Sequence, residues 1–262
     1  MKLHSYRLAS LALVLFLSLG LAAACRGKSK PSGTEAAATP TASPTPSPTP
    51  TPTPTAQGIL QQASDRWNHL DSLHFNLQIE GVVALDSTGL VQLHSADGDL
   101  KRPGLAQATA KVSVAGSNLN MKMISLGTDQ YITNFITGRW EKAPADLGYN
   151  PAVLFDKDHG VGAVLTSIQN PAIAGSESID GQEAWHITGT VTKAAASAIV
   201  GGALHGDTAT VDVWVSKSTH DLLKLVVHDP GAATPSAAQG AATWTLTTSK
   251  QNQPVTIERP NV

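Results

Sequence analysis

From Gln57 to Leu70 the residues Ile59, Leu60, Ala63, Trp67 and Leu70 recur at helical spacing on one stripe, which predicts an amphipathic helix. The period then changes to two. Leu73, Phe75, Leu77, Ile79, Val83 and Leu85 are interleaved with His74, Asn76, Gln78 and Glu80, the pattern of a long strand with one wet face. Alternation returns in Ala108, Ala110, Val112 and Val114, and again in Leu119, Met121 and Met123, with a turn expected at Gly116-Ser117-Asn118. Tyr131, Thr133 and Phe135 predict a further strand that turns through Gly138-Arg139-Trp140. Asp180-Gly181 is a tight-turn signal between two polar-rich segments. Ala209, Val211, Val213 and Val215, then Leu222 to His228 and Thr243 to Ser249, supply the closing strands.

Two helical stretches interrupt the strands. His159 to Gln169 places Val161, Val164, Leu165 and Ile168 on one side, with Asp158 as the expected N-cap. Lys193 to Leu204 is alanine-rich and contains Gly201-Gly202. Asp97-Gly98-Asp99 reads as a turn. Short connections between alternating segments favour antiparallel pairing. The fold class is therefore α+β, a long antiparallel sheet with two or three helices on one face. About 206 residues are enough to bury a sizeable core.

The first 57 residues follow other rules. Lys2 and Arg7 precede an apolar run from Leu8 to Leu21, and Leu21-Ala22-Ala23-Ala24 leads into Cys25. A basic start, a short apolar stretch and small residues at its end describe a secretory signal in residues 1–24. Cys25 is the only cysteine, which removes any intramolecular disulfide and any cysteine-cluster metal site. Half of the 16 prolines lie between Pro31 and Pro54. Proline and Thr/Ser alternate from Thr39 to Thr55, and such a stretch cannot join a helix or sheet. Residues 25–57 are read as an extended tether, reaching on the order of 50 Å over its Thr/Pro part. Residues 58–262 form the folded domain.

Charge narrows the partners. Lys and Arg total 18 against 20 Asp and Glu, and charged residues are 15% of the chain. That balance excludes the basic footprint of a nucleic-acid binder. Motifs with built-in chemistry are absent: no nucleophile elbow, no HExxH, no phosphate-binding P-loop. Gly160-Val161-Gly162 opens like a dinucleotide fingerprint, but Leu165 occupies the third glycine's place. Asp156, Asp158 and His159 form the densest polar cluster, open to a metal or acid/base role and better explained as capping the next helix. His69 and His74 read as surface residues and His186 as a satisfied, partly buried histidine. No metal ligand set and no cofactor site is expected, and the chain is not read as an enzyme.

Ile59-Leu60, Ala63, Leu70 and Ser72-Leu73-His74-Phe75, followed by Tyr131, Gly138-Arg139-Trp140, Pro144 and Pro151, give the domain a resemblance to the LppX/LprA/LprF/LprG lipoproteins of mycobacteria. It then runs through Asp158-His159-Gly160, Leu165, Gly175, Ile179-Asp180-Gly181, His186-Ile187-Thr188-Gly189 and Val213-Trp214-Val215. It closes with Asn252, Pro254-Val255, Ile257 and Pro260. The chain departs from the family in its Thr/Pro tether and in an Ala/Gly-rich insert between His228 and Trp244. The segment before Cys25 is similar to a lipobox, which implies that Cys25 becomes the acylated first residue, with acyl groups such as palmitate. The resemblance further implies a LolA-like half-barrel, in which a curved antiparallel sheet wraps over helices around an apolar cavity. The cavity lining would then be Leu73, Phe75, Leu77, Ile79, Leu119, Met121, Met123, Val161, Leu165, Val211, Val213 and Val215.

The function implied is a monomeric lipoprotein, lipid-anchored on the extracytoplasmic face of the cell membrane, that carries acylated lipids or glycolipids across the envelope. A structural or interaction lipoprotein with a filled core is the second reading. An envelope hydrolase built around Asp156, Asp158 and His159 is the third.

Overall fold

The computed structural model describes residues 53–84, 90–144, 150–196, 199–200, 204–231 and 240–262. The signal, Cys25 and most of the tether, together with Leu85 and most of the Ala/Gly-rich insert, lie outside the described residues.

Helix α1 spans Ala56–Asn68 and starts one residue before the stripe predicts. Thr55 is its N-cap, its side chain accepting a hydrogen bond from the Gly58 N–H at 3.1 Å. Its buried stripe is Ile59, Leu60, Ala63 and Trp67. Eleven strands follow in one sheet: β1 Ser72–Glu80, β2 Val91–Lys101, β3 Leu105–Val114, β4 Ser117–Leu126, β5 Asp129–Thr133, β6 Trp140–Lys142, β7 Gln169–Ile179, β8 Gln182–Thr192, β9 Thr208–Ser216, β10 Leu222–Asp229 and β11 Ala242–Ser249. A 3₁₀ turn, Pro151–Phe155, and helix α2, Val161–Ser167, fall between β6 and β7, and a short α3, Lys193–Ala196, between β8 and β9.

The order across the sheet is β6-β5-β4-β3-β2-β1-β11-β10-β9-β8-β7, with every neighbouring pair antiparallel. The β1–β11 pairing, His74 opposite Ser249 through Glu80 opposite Thr243, joins the first and last strands in mid-sheet. The result is a large, open, curved antiparallel sheet. One face carries the core and is joined by α1 and α2; the other carries His74, Asn76 and Gln78 of β1. Its edges resist further pairing. β6 has three residues, and β7 carries Pro171 and two bulges.

Several expectations are corrected. The β3–β4 turn is Ala115-Gly116, with φ of 48° and 84°, so Ser117 and Asn118 already belong to β4. The primed turn matches the strands' twist, and glycine accepts its positive φ at no steric cost. Asp97-Gly98-Asp99 is no turn: all three residues lie inside β2, paired with Asn76, Phe75 and His74. Asp158 does not cap α2. Gly160 takes that place without a side-chain bond, and Asp156 accepts instead from the N–H groups of Asp158 (2.9 Å) and His159 (2.8 Å). α2 is shorter than His159–Gln169 because this Asp156 turn occupies its first residues and β7 begins at Gln169. α3 ends at Ala196 within the expected stretch Lys193 to Leu204, parts of which lie outside the described residues.

The antiparallel order gives the sheet two ends. One carries the β2–β3, β4–β5, β7–β8 and β9–β10 turns. The other carries the β1–β2, β3–β4, β5–β6 and β10–β11 connections. They are called below the Arg102 end and the Ile136 end.

Candidate functional site

On the core face, the pairing register sets side chains in rows. Leu77, Ala96, Ala110 and Met121 face one another across β1 to β4, and Phe75, Gly98, Ala108 and Met123 form the next row. A third row runs Leu73, Leu100, Ala106. All are buried. The middle strands, β2 and β3, therefore present Ala96, Gly98, Ala106, Ala108 and Ala110, with almost no side-chain height. Leu77 and Phe75 stand on one flank, Met121 and Met123 on the other. β2 and β3 thus form a low strip, a trough in side-chain height between β1 and β4, over which the 3₁₀ turn Pro151–Phe155 packs.

At Gly98 the floor is lower still. A Cβ there would lie 2.0 Å from the Gln107 carbonyl oxygen and 2.7 Å from the Ala108 Cα, so only glycine lets β2 and β3 approach this closely.

The predicted lining residues fall in two groups. Leu73, Phe75, Leu77 and Ile79 on β1 and Met121 and Met123 on β4 flank the trough. Leu119, also on β4, is only partly buried against the core, beside a surface groove with Asn118, Asn120, His94 and Lys111. Val211, Val213 and Val215 lie across β11 and β10 on β9, and Val161 and Leu165 on α2, all within the same buried core. The floor residues of β2 went unrecognised because a bulge between Leu93 and Ser95 shifts the apolar phase from odd to even positions. Regular Ala alternation in 106–110 was the one sequence signal for the floor.

The polar groups hold the frame. The Arg102 guanidinium donates to the carbonyls of Leu70 (2.8 Å), Phe155 (2.7 Å) and Trp67 (3.3 Å) and lies 4.5 Å above the Phe155 ring. It thereby ties the end of α1, the β2–β3 turn and the 3₁₀ turn together. Burial lowers its pKa, against the nearby carboxylates of Asp71 and Asp156. Trp67 Nε1 donates to Leu154 O at 3.0 Å, and its ring meets Phe155 edge-on at 5.5 Å. Arg66 pairs with Asp221 at 2.7 Å beside the β9–β10 turn. Gly162 lies against Asn68 and its carbonyl accepts from Ser64 Oγ at 2.8 Å, so Gly162 serves the α1–α2 packing, while Gly160 lies against the backbone of Leu154 and Asp156.

At the opposite end Asp229, its side chain fully buried, accepts from the N–H groups of His205 (2.6 Å), Gly206 (2.9 Å) and Gly231 (3.0 Å). Burial pushes its pKa up, and these three donors outweigh that and hold it below the usual carboxylate value.

On the outer face, His74 sits between Asp99 (2.9 Å) and Asp97 (3.3 Å), and His186 between Asp212 (2.7 Å) and Glu177 (3.2 Å). Burial raises the Asp99 pKa, and hydrogen bonds from Gln107 and His74 bring it below normal. His186 also stacks on Trp214 at 4.4 Å. Asp156, lowered chiefly by the His159 N–H, closes its own turn. A surface groove of about 310 Å³ is lined by Asp158, His159, Ala163, Val164, Ser167, Ala194 and Ala195, with the Ser167 hydroxyl donating to Val164 O at 2.8 Å. Among the described residues, no group of three or more His, Cys, Asp or Glu could hold a metal ion. No described helix is long and apolar enough to cross a membrane.

The model of the LppX_LprAFG lipoprotein family matches residues 55–257, the whole sheet with α1 to α3. The chain belongs to this family. LprF of Mycobacterium bovis, named for a provisional role as a diacylated glycolipid transporter, is 31% identical over 150 residues, 55% of this chain and 55% of LprF. The match thus spans about half the length of that relative. The lipoarabinomannan carrier protein LprG of Mycobacterium leprae is 25% identical over 210 residues, 78% of this chain and 81% of LprG. Two crystal structures share the fold. LprF from Mycobacterium bovis has a TM-score of 0.60 at 24% identity, over 78% of this chain and 96% of that one. LppX from Mycobacterium tuberculosis has a TM-score of 0.56 at 21% identity, over 78% and 98%.

Proposed function

We propose that the protein is a lipid carrier of the cell envelope, lipid-anchored through Cys25 to the extracytoplasmic face of the membrane, whose domain holds the acyl chains of a lipid or glycolipid on the core face of its sheet. The observation that carries this reading is the trough. Five Gly and Ala positions on β2 and β3, flanked by Phe75, Leu77, Met121 and Met123, give a low apolar strip that supports the reading of a slot for acyl chains. Such a slot suits methylene chains and little else. Each buried CH₂ contributes about 0.8 kcal/mol before ordering costs, so a diacyl lipid is held firmly with no directional contact. The names of LprF and LprG support the same cargo class.

Residues 1–24 are the cleaved signal in this account. The Thr/Pro segment before Thr55 is the tether; its expected boundary at residue 57 moves back because Thr55 caps α1 and Ala56 and Gln57 are the helix's first two residues. A carrier of this kind needs no catalytic group and no metal, and works as a monomer. Hydrogen bonds between turns and helices clamp the Arg102 end, which favours entry and exit of acyl chains at the Ile136 end.

Enlarging the floor tests the proposal. In a filled core, Ala110→Trp displaces packed neighbours and destabilises strongly. In a slot for lipid, the indole takes the place of part of an acyl chain. The expected result for Ala110→Trp and Met121→Trp is a nearly unchanged denaturation midpoint with less extractable lipid per protein. Val213→Trp, across the sheet on β9, extends the test to the second group of lining residues. Collapse of stability in all three, with no lipid in the parent, would favour a solid-core interaction protein instead.

A further inference from the structure

Exposed large apolar side chains are unevenly placed. Val82 (40% exposed) and Leu90 (58%) flank the β1–β2 connection, and Phe135 (37%) and Ile136 (93%) form the β5–β6 turn. These four belong to the Ile136 end; of the two others among the described residues, Ile173 lies inside the edge strand β7, and Val262 follows Arg259, which pairs with Asp129 at the Arg102 end. The turns of the Arg102 end themselves carry Arg102, Gly127-Thr128, Asp180-Gly181 and Lys217 to Asp221, with no exposed large apolar residue among the described ones.

The Ile136 tip is held rigidly. The Asn134 side chain accepts from the N–H groups of Ile136 (2.9 Å) and Thr137 (3.0 Å) and donates to Glu141 at 3.0 Å. Gly138 N–H closes the turn on Asn134 O at 2.9 Å. An isoleucine presented almost wholly to water on a locked turn has no role in the protein's own core. Beside it on the same turn stands the exposed cation Arg139.

We infer that the Ile136 end docks on a lipid bilayer, with Phe135 and Ile136 entering the acyl boundary and Arg139 at the phosphate level. This rests on the carrier reading in one respect, that the chain works beside a membrane. Three features select a bilayer over a protein groove. The two apolar tips are separated by β3 and β4, roughly 20 Å along the sheet, with the small Ala115-Gly116 turn between them. Separate insertion points in one rim match a continuous lipid surface better than a single cleft. Phe and Ile with a neighbouring Arg is the composition of an interfacial anchor. The chain preceding residue 53 is long enough, at about 3.1 Å per residue of polyproline stretch, for a domain anchored at Cys25 to turn any face toward the membrane. Docking delivers the exit of the slot to the bilayer. Each inserted side chain strengthens association about tenfold or more.

The test uses the full-length protein in vesicles of phosphatidylcholine and phosphatidylglycerol. A nitroxide is placed at Ile136→Cys in one sample and at Thr128→Cys, the exposed β4–β5 turn of the Arg102 end, in another; the parent gives the background from Cys25. Both positions are exposed, so neither change threatens the fold. The expected result is that the label at 136 collides readily with oxygen and is shielded from a water-soluble nickel chelate, while the label at 128 shows the reverse. Equal exposure of both labels to nickel, or equal shielding of both, overturns the inference. In a second arm, Phe135→Ser with Ile136→Ser slows delivery of protein-bound lipid to acceptor vesicles tenfold or more without lowering the lipid carried; unchanged delivery also overturns it. If the extract holds no lipid, the carrier reading fails, and the label depths still decide the docking.

Discussion

At the Arg102 end, charged and amide groups stitch turns to helices. Arg102 reaches three carbonyls, Arg66 reaches Asp221, and Asn252 Oδ1 accepts from the Asp71 N–H at 2.8 Å. At the Ile136 end, one buried carboxylate, Asp229, gathers three N–H groups, and the outer turns expose isoleucine, leucine and phenylalanine. The difference teaches how an open sheet can be rigid at one end and usable at the other. In the proposed carrier, polar clamps fix the geometry at the end where no cargo passes, and the apolar tips belong to the end proposed to meet the bilayer.

The clamp predicts the largest effect. Arg102→Ala strands three carbonyls and uncovers the Phe155 ring; it should cost about 3 kcal/mol, read as a lower denaturation midpoint at unchanged slope. Arg102→Lys should recover only part of this, because a point-like ammonium cannot span all three acceptors. A loss below 1 kcal/mol for the alanine variant would show that the Arg102 end is not held this way.

At the other end, Asp229→Asn replaces one acceptor oxygen with a donor facing N–H groups, a cost of about 2 kcal/mol. The wild type has a matching pH signature. The folded-state pKa of Asp229 is depressed, as are those of Asp99 and Asp156. Their contribution to stability is therefore present above the unfolded carboxylate value and lost as pH falls through the folded one. Unfolding free energy should be flat from about pH 7 to 5 and fall below about pH 4, less steeply in Asp229→Asn. Equal steepness in the two proteins would remove Asp229 from the account.

On the trough floor, Gly98→Ala must push β3 aside and should destabilise by about 1–3 kcal/mol while reducing bound lipid. The smallest effect belongs to the tip: Ile136→Ser should change the stability of the protein in solution by less than about 0.5 kcal/mol. A larger loss would mean that Ile136 serves the fold.

Much of the frame was legible. The stripe from Ile59 to Trp67, the alternation in β1, β4 and β9, and the Asp180-Gly181 turn all appear in the structure. Those elements use large apolar residues in regular phase, and the period alone identifies them. β2 escaped because its bulge breaks the phase and its inward residues are Ala96 and Gly98, which carry almost no hydrophobic signal. The aspartates flanking Gly98 then imitated a turn, although they sit on the outer face beside His74. The trough floor was hidden for the same reason that makes it a trough. Arg102 was invisible because its three acceptors are backbone carbonyls, which no residue pattern marks. Asp158 lies nearer the apolar run and reads as its cap, whereas the local turn brings the Asp156 oxygen to the N–H groups of Asp158 and His159.

The central claim, that the core face of the sheet holds acyl chains, is tested most directly by mass spectrometry of an organic extract of the protein purified from its own cells. The account predicts a diacyl lipid or glycolipid at close to one molecule per protein. An extract free of acylated lipid, from protein that is folded and intact, would contradict it.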